Sequence, residues 1–268
     1  MAIQKVLITV KTYPTLSRRY DELVCTAGVL EDGTWIRIYP VPFRKLDYVK
    51  QYKKYDWIEL DLVKNSKDFR PESYRPSSLE ADIKVIDHIG TEGNWHERKK
   101  FVLNEIYEDT IKLISEAKDK NNQKSIAVFK PKRVHDFIYT EDSKEWDPKK
   151  VEVMNQMNLF EKRDGEFKIV RKLPYKFYYK VEDSNGKIRT MMIEDWETGA
   201  LFWNMMKKYN NEKTACEKVK QKYLDDFSTK HDLYLILGTT QKYHHVAPNP
   251  FIIIGTIYPQ KEDENLFG

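Results

Sequence analysis

A chain of 268 residues, 40% hydrophobic and 33% charged, is long enough for one large domain or two small ones and can bury a core without extra staples. Its 46 basic and 42 acidic residues leave a formal net charge of only +4, so bulk charge does not argue for a nucleic-acid partner. No apolar run approaches the roughly 18 residues of a membrane helix, no leader pattern opens the sequence, and Cys25 and Cys216 lack CxxC spacing; a membrane-helix protein, a secreted disulfide scaffold and a zinc ribbon are excluded. The expectation is a soluble, cytoplasmic chain with no membrane partner.

In chain order, Ile3 to Lys11 is rich in β-branched residues and predicts a strand ending at Tyr13-Pro14. Strands at Glu22 to Leu30 and Thr34 to Tyr39 flank Glu31-Asp32-Gly33, where Asp-Gly supplies the positive φ of a tight hairpin. Arg44 to Tyr55 predicts a short helix and Asp56 to Lys64 an alternating strand. Arg70-Pro71 and Arg75-Pro76 mark an exposed crossing loop, and Ile83 to Ile89 returns as a strand. These pieces predict a small barrel or strongly curved sheet of the kind found in PUA-like and OB-like domains.

From Asn94 to Lys118 the spacing turns helical, with Asn94 as N-cap, and Asp119 to Lys124 breaks it. Strands follow at Ser125 to Phe129 and Val134 to Tyr139. Thr140 to Gly165 is charged, holds a predicted short helix at Pro148 to Leu159, and reads as a linker. Phe167 to Val170 and Tyr175 to Glu182 are strands, and Ser184-Asn185-Gly186 turns the latter back along Lys187 to Ile193. Asp195 to Tyr209 and Glu212 to Phe227 predict two helices, and Leu233 to Leu237 and Phe251 to Tyr258 the closing strands. The fold class expected is α+β: a β-rich N-terminal barrel-like module, a helical middle and a C-terminal strand-helix-helix-strand region. The expected division is 1–139, a linker at 140–165, and 166–268.

Basic and aromatic residues interleave near the N-terminus: Lys11, Tyr13, Arg18, Arg19, Trp35, Arg37, Tyr39 and Arg44. Cations meet phosphates and flat rings stack on bases, so this pattern points to nucleic acid. Trp35, Arg37 and Tyr39 alternate with Ile36 and Ile38, which puts the two sets on opposite faces of one strand. The alternative is that Trp35 and Tyr39 cover a second core while Arg37 snorkels or pairs with Glu22 or Glu59.

Glu194, Asp195 and Glu197 are the candidate carboxylates for Mg²⁺-dependent or general-base chemistry; the same residues suit a helix start, where Asp caps and Glu complements the dipole. Cys25 has no local histidine to activate it and reads as structural. His244 and His245 form no metal-ligand pattern with the other histidines and read as solvated loop residues. No GxGxxG, P-loop or G-x-S-x-G motif is present, so no nucleotide cofactor is expected, and Mg²⁺ only if the chain is a nuclease.

Lys11-Thr12-Tyr13-Pro14, Glu22 through Gly28 and Trp35 through Arg44 resemble the opening of a family of uncharacterised prokaryotic proteins. Asp195-Trp196-Glu197, Asp232 through Gly238 and Phe251 through Pro259 resemble its ending. The resemblance brings no established activity; it implies an association with DNA modification or phage defence. Some similar proteins carry a cysteine knuckle in the region of Tyr178 to Arg189, which has no cysteine here. Three readings follow: a nucleic-acid-binding protein recognising modified DNA or RNA, a metal-dependent nuclease or related hydrolase, and a scaffold with protein partners in a larger system.

Overall fold

The computed structural model of the chain describes residues 2–17, 21–78, 82–152 and 169–262. The chain folds as an α+β protein in two compact units, one made of Met1–His88 with Thr140–Lys176, the other of Ile89–Tyr139 with Phe177–Gly268. Among the described residues no helix is long and apolar enough to cross a membrane.

The first unit contains β1 (Ala2–Lys11), β2 (Thr15–Ser17), β3 (Asp21–Val29), β4 (Trp35–Val41), β5 (Asp56–Lys64), β6 (Ser73–Pro76) and β7 (Lys84–His88), with single 3-10 turns at Phe43–Lys45 and Tyr48–Lys50. Strands β1, β3, β4, β6 and β5 pair in that order and β5 pairs back onto β1, which closes a five-stranded barrel. A closed ring leaves no ladder edge within itself. The β3/β4 hairpin turns where expected: Gly33 has φ 83° and the Asp32 carboxylate accepts the Thr34 N–H at 2.9 Å.

Val6, Ile8 and Val10 of β1, Ile36 and Ile38 of β4, and Ile58, Leu60 and Leu62 of β5 are buried. Each such side chain contributes about 1.5–3 kcal/mol of transfer free energy. Gly28 sits opposite Ile8 where β3 presses on β1; a Cβ there would lie 2.1 Å from the Leu7 carbonyl oxygen.

The expected exposed loop around Arg70 is different in kind. Asp68 and Arg70 are buried, Arg70 donates from Nε at 2.9 Å and Nη2 at 2.5 Å to the two Asp68 oxygens, and Ser73 Oγ donates at 2.7 Å. This fixed turn delivers β6 parallel to β4, with Arg37 opposite Ser73. Its cause is a non-local pairing that no local pattern announces.

The second unit contains α1 (Glu92–Val102), β8 (Ile106–Tyr107), α2 (Thr110–Lys118), β9 (Ile126–Phe129), β10 (Arg133–Glu141), β11 (Tyr175–Glu182), β12 (Ile188–Ile193), α3 (Trp196–Tyr209), α4 (Glu212–Lys220), β13 (Tyr234–Thr239) and β14 (Phe251–Ile257). Its mixed sheet has the order β10-β11-β12-β14-β13-β9-β8. The β11/β12 hairpin turns at Gly186, with φ 78°, as the Asn-Gly pair demands. Phe137, Phe177, Tyr179, Phe202 and Tyr223 form an aromatic core, in which the Phe137 ring lies 5.2 Å from those of Tyr179 and Tyr223.

Two helix expectations are corrected. The stretch from Asn94 to Lys118 is two helices separated by β8, because Asp109 starts a new helix by accepting the Ile111 and Lys112 N–H groups. Asn94 is no N-cap: Gly93, Asn94 and Trp95 are left-handed, with φ 58°, 53° and 64°, and the Asn94 amide exchanges two hydrogen bonds with the Gln260 backbone at 2.9 and 2.7 Å. The second expected helix changes pitch after Lys220 into a π-helical segment, Gln221–Phe227, which turns Tyr223 and Phe227 into the core.

Candidate nucleic-acid interface

The outer face of β4 is set by its alternation. Ile36 and Ile38 are buried, Trp35 is half-buried, and Tyr39 is 37% exposed. Arg37, between the two rings, is only 4% exposed; its backbone N–H donates to Glu72 at 2.7 Å and its Nη1 lies 3.5 Å from Cys25 Sγ. Burial pushes the Arg37 guanidinium down, with the Cys25 thiol and Glu72 acting in the opposite direction. The side chain is held beneath the strand surface and does not project from it.

Lys11, at the end of β1, is half-buried: Nζ donates to the Tyr52 carbonyl at 3.1 Å and lies 4.3 Å from the centre of the Phe43 ring. A lysine over an aromatic face gains a further electrostatic attraction. Tyr52 is itself fully buried and shares a 2.6 Å hydrogen bond with Thr26. Arg44 donates from Nη1 to Glu22 Oε2 at 2.6 Å, and the same oxygen accepts the Val170 N–H at 3.0 Å. Burial raises the Glu22 carboxyl above its ordinary range, against the pull of Arg44 and of the Val170 N–H. Tyr13 donates its hydroxyl to the Arg171 carbonyl at 2.8 Å. Arg18 and Arg19 lie outside the described residues.

Trp35, Arg37 and Tyr39 thus share one strand, whereas Lys11 and Arg44 each have a structural partner within the barrel. Glu22, Phe43 and Tyr52, which fix those two cations, carry no motif; only the position of Glu22 at the head of an apolar strand hints at a buried carboxylate.

The carboxylates of the second unit are dispersed around the start of α3. Glu194 is half-buried with its N–H on the Ile253 carbonyl at 2.8 Å, Asp195 is buried, and Glu197 is exposed in the first turn. Asp195 occupies the N-cap position without a side-chain capping hydrogen bond. Among the described residues no group of three or more His, Cys, Asp and Glu side chains could hold a metal ion, so these three do not converge on one.

His244 is corrected from a solvated residue to a buried one: Nδ1 lies 2.7 Å from Thr239 Oγ1 and Nε2 lies 2.7 Å from the Ala117 carbonyl, while His245 is exposed. The loop folds its histidine back against α2, a contact 127 residues distant in sequence. Cys216 is buried, and burial beside Glu212 and Glu217 pushes its thiol up to about 12; Cys25 is half-buried.

Comparison with known proteins gives two family matches. Residues 2–104 match the model described as "Domain of unknown function (DUF8758)", and residues 106–268 the model described as "Domain of unknown function (DUF8757)". No curated protein matches the chain. Among solved structures, the chain is similar to one described as a murine DNA binding protein bound with ds DNA, at 9% identity and TM-score 0.33, over 98% of this chain and 97% of that one. So remote a likeness carries neither fold nor function. With more than half of its length, residues 106–268, matched by the second model, the chain belongs to the DUF8757 family.

Proposed function

We propose that this protein binds nucleic acid through the outer face of β4. The observation that carries the reading is the exposure of Tyr39 beside a half-buried Trp35 while Ile36 and Ile38 point into the barrel. Two rings on one strand face form a stacking platform, and a stacked base is worth about 1–3 kcal/mol. In this reading Lys11, Arg18, Arg19 and Arg44 meet phosphates, and Tyr13 borders the platform. Arg37 acts from beneath, where a covered positive charge raises the potential at the strand surface. We assign the ligand as a modified base in DNA or RNA, within a prokaryotic modification or phage-defence system, as the family resemblance implies.

Fluorescence anisotropy with single- and double-stranded DNA and RNA oligonucleotides, modified and unmodified, tests this. Binding should weaken steeply as salt rises. Tyr39→Ala and Trp35→Ala should each weaken it by about 5-fold or more, the effect of losing a stacked base. Absence of binding at low salt, or binding indifferent to the double variant, overturns the reading. Arg44→Ala is a poor probe, because it strips a buried carboxylate of its cation and so changes the barrel along with the surface.

A further inference from the structure

Strand β7 lies at the end of the barrel's strand order and, among the described residues, pairs with β5 on one side only. All five of its residues are exposed, Val85 to 40% and Ile86 to 45%. The 3-10 turn at Tyr48–Lys50 packs beside it, tied by the 3.1 Å ion pair of Lys50 with Asp82, and adds Tyr48 and Val49 at 88% and 77% exposure. An open ladder edge bordered by four exposed apolar side chains is an association surface.

We propose that the occupant of this edge is a second copy of the chain, paired antiparallel through β7. The charge order of the strand selects that partner. In the register with the twofold axis between Val85 and Ile86, Lys84 faces Asp87 of the other copy and Val85 faces Ile86, and each pair occurs twice. Opposite charges and β-branched residues directly across a ladder are the favourable cross-strand pairs, and a twofold interface repeats every such contact.

Lysine and a bulge are devices that guard an edge against indiscriminate pairing, and β7 has both: Lys84, and a register shift between Trp57 and Ile58 that leaves Ile86 extra opposite β5. Lys84 repels most strands but meets an aspartate in this one, so the guard becomes a selector. Asp87 also accepts the His88 N–H at 2.8 Å, which ends the pairing at that residue. A ladder this short forms a small interface and a reversible dimer.

Sedimentation velocity of the full chain from about 10 μM to about 1 mM, the range of weak small interfaces, should show a monomer passing into a dimer. Asp87→Lys alone and Lys84→Asp alone set like charges opposite each other twice and should each weaken association about 10-fold or more. Mixing those two variants restores both opposite-charge pairs and should restore the dimer as a mixed one. Ile86→Glu, at an exposed position, should weaken association without disturbing the barrel, as circular dichroism checks. A chain that stays monomeric throughout overturns the proposal. So does a dimer indifferent to Asp87→Lys and Ile86→Glu, or variants that do not recombine on mixing. Capture of an extended peptide of another protein by β7, with no self-association, also shows the occupant assigned here to be wrong.

Discussion

The carboxylate of Asp183 has no exposed surface, yet it accepts the Thr110 hydroxyl at 2.5 Å and the N–H groups of Thr110, Asn185 and Lys187 at 3.2, 3.0 and 2.9 Å. Burial raises its pKa, but the Thr110 hydroxyl and the backbone donors outweigh that and hold it below the usual aspartate range. A carboxyl depressed in the folded state contributes stability above its unfolded value, and this is lost as pH falls through the folded one. Asp183→Asn should therefore cost about 1–3 kcal/mol at pH 7 by urea denaturation. The variant should also lose less stability than the native chain on acidification below about pH 4, the ordinary aspartate range. Equal acid sensitivity in both proteins would place the acid-labile group elsewhere.

Asn94 makes a second residue-scale case, because its left-handed backbone and its paired amide can be separated. Asn94→Gly keeps the conformation and loses two hydrogen bonds at a partly exposed site, so it should cost about 1 kcal/mol. Asn94→Ala adds the left-handed penalty of about 1–2 kcal/mol, so it should be the more destabilising of the two by chemical denaturation. Equal costs for the two variants would mean that the amide, and not the backbone, dominates. Residue types were legible here only as chemistry: an asparagine near a helix start predicts a cap, whereas its partner, Gln260, is 166 residues away.

At the scale of elements, what was legible is what is local. Asp32-Gly33 and Asn185-Gly186 each specify their hairpin within four residues, and the period-two pattern of β4 and β5 placed Ile36, Ile38, Ile58, Leu60 and Leu62 inside. Strands β6 and β8 have four residues or fewer and pair with β4 and β9, distant in sequence, so no short window contains the reason for them. The alternation of Trp35, Arg37 and Tyr39 was readable, but not the turn from Asp68 to Ser73 in which β6 is brought alongside Arg37. Gly28 carries an element-scale prediction. A Cβ against the Leu7 carbonyl forces β1 and β3 apart, so Gly28→Ala should cost about 1–3 kcal/mol, the usual penalty of overpacking. A urea midpoint unchanged by this substitution would mean that the barrel yields at that crossing without loss.

For the whole molecule, the family boundary near residue 105 and the compact units divide the chain differently. The first family match, 2–104, holds all seven strands of the barrel unit but lacks its second segment, Thr140–Lys176, which supplies the Val170 N–H to Glu22 and the Arg171 carbonyl to Tyr13. A fragment of residues 1–104 should therefore unfold at a lower urea concentration than the same fragment mixed with a peptide of residues 140–176. A peptide without effect would show the barrel to be complete without it. The aromatic core of the second unit was legible as strands and helices, but not as one cluster, because its rings come from both sides of that inserted segment.

The interruption of the barrel unit also has a consequence on the ribosome. After His88 has emerged, the 88 residues to Lys176 must still be made before the unit has all its parts. At synthesis rates of about 5–20 residues per second that wait lasts about 4–18 s. During it the nascent chain displays Glu22 without the Val170 N–H that completes its set of partners, so this is the interval in which a chaperone would find it.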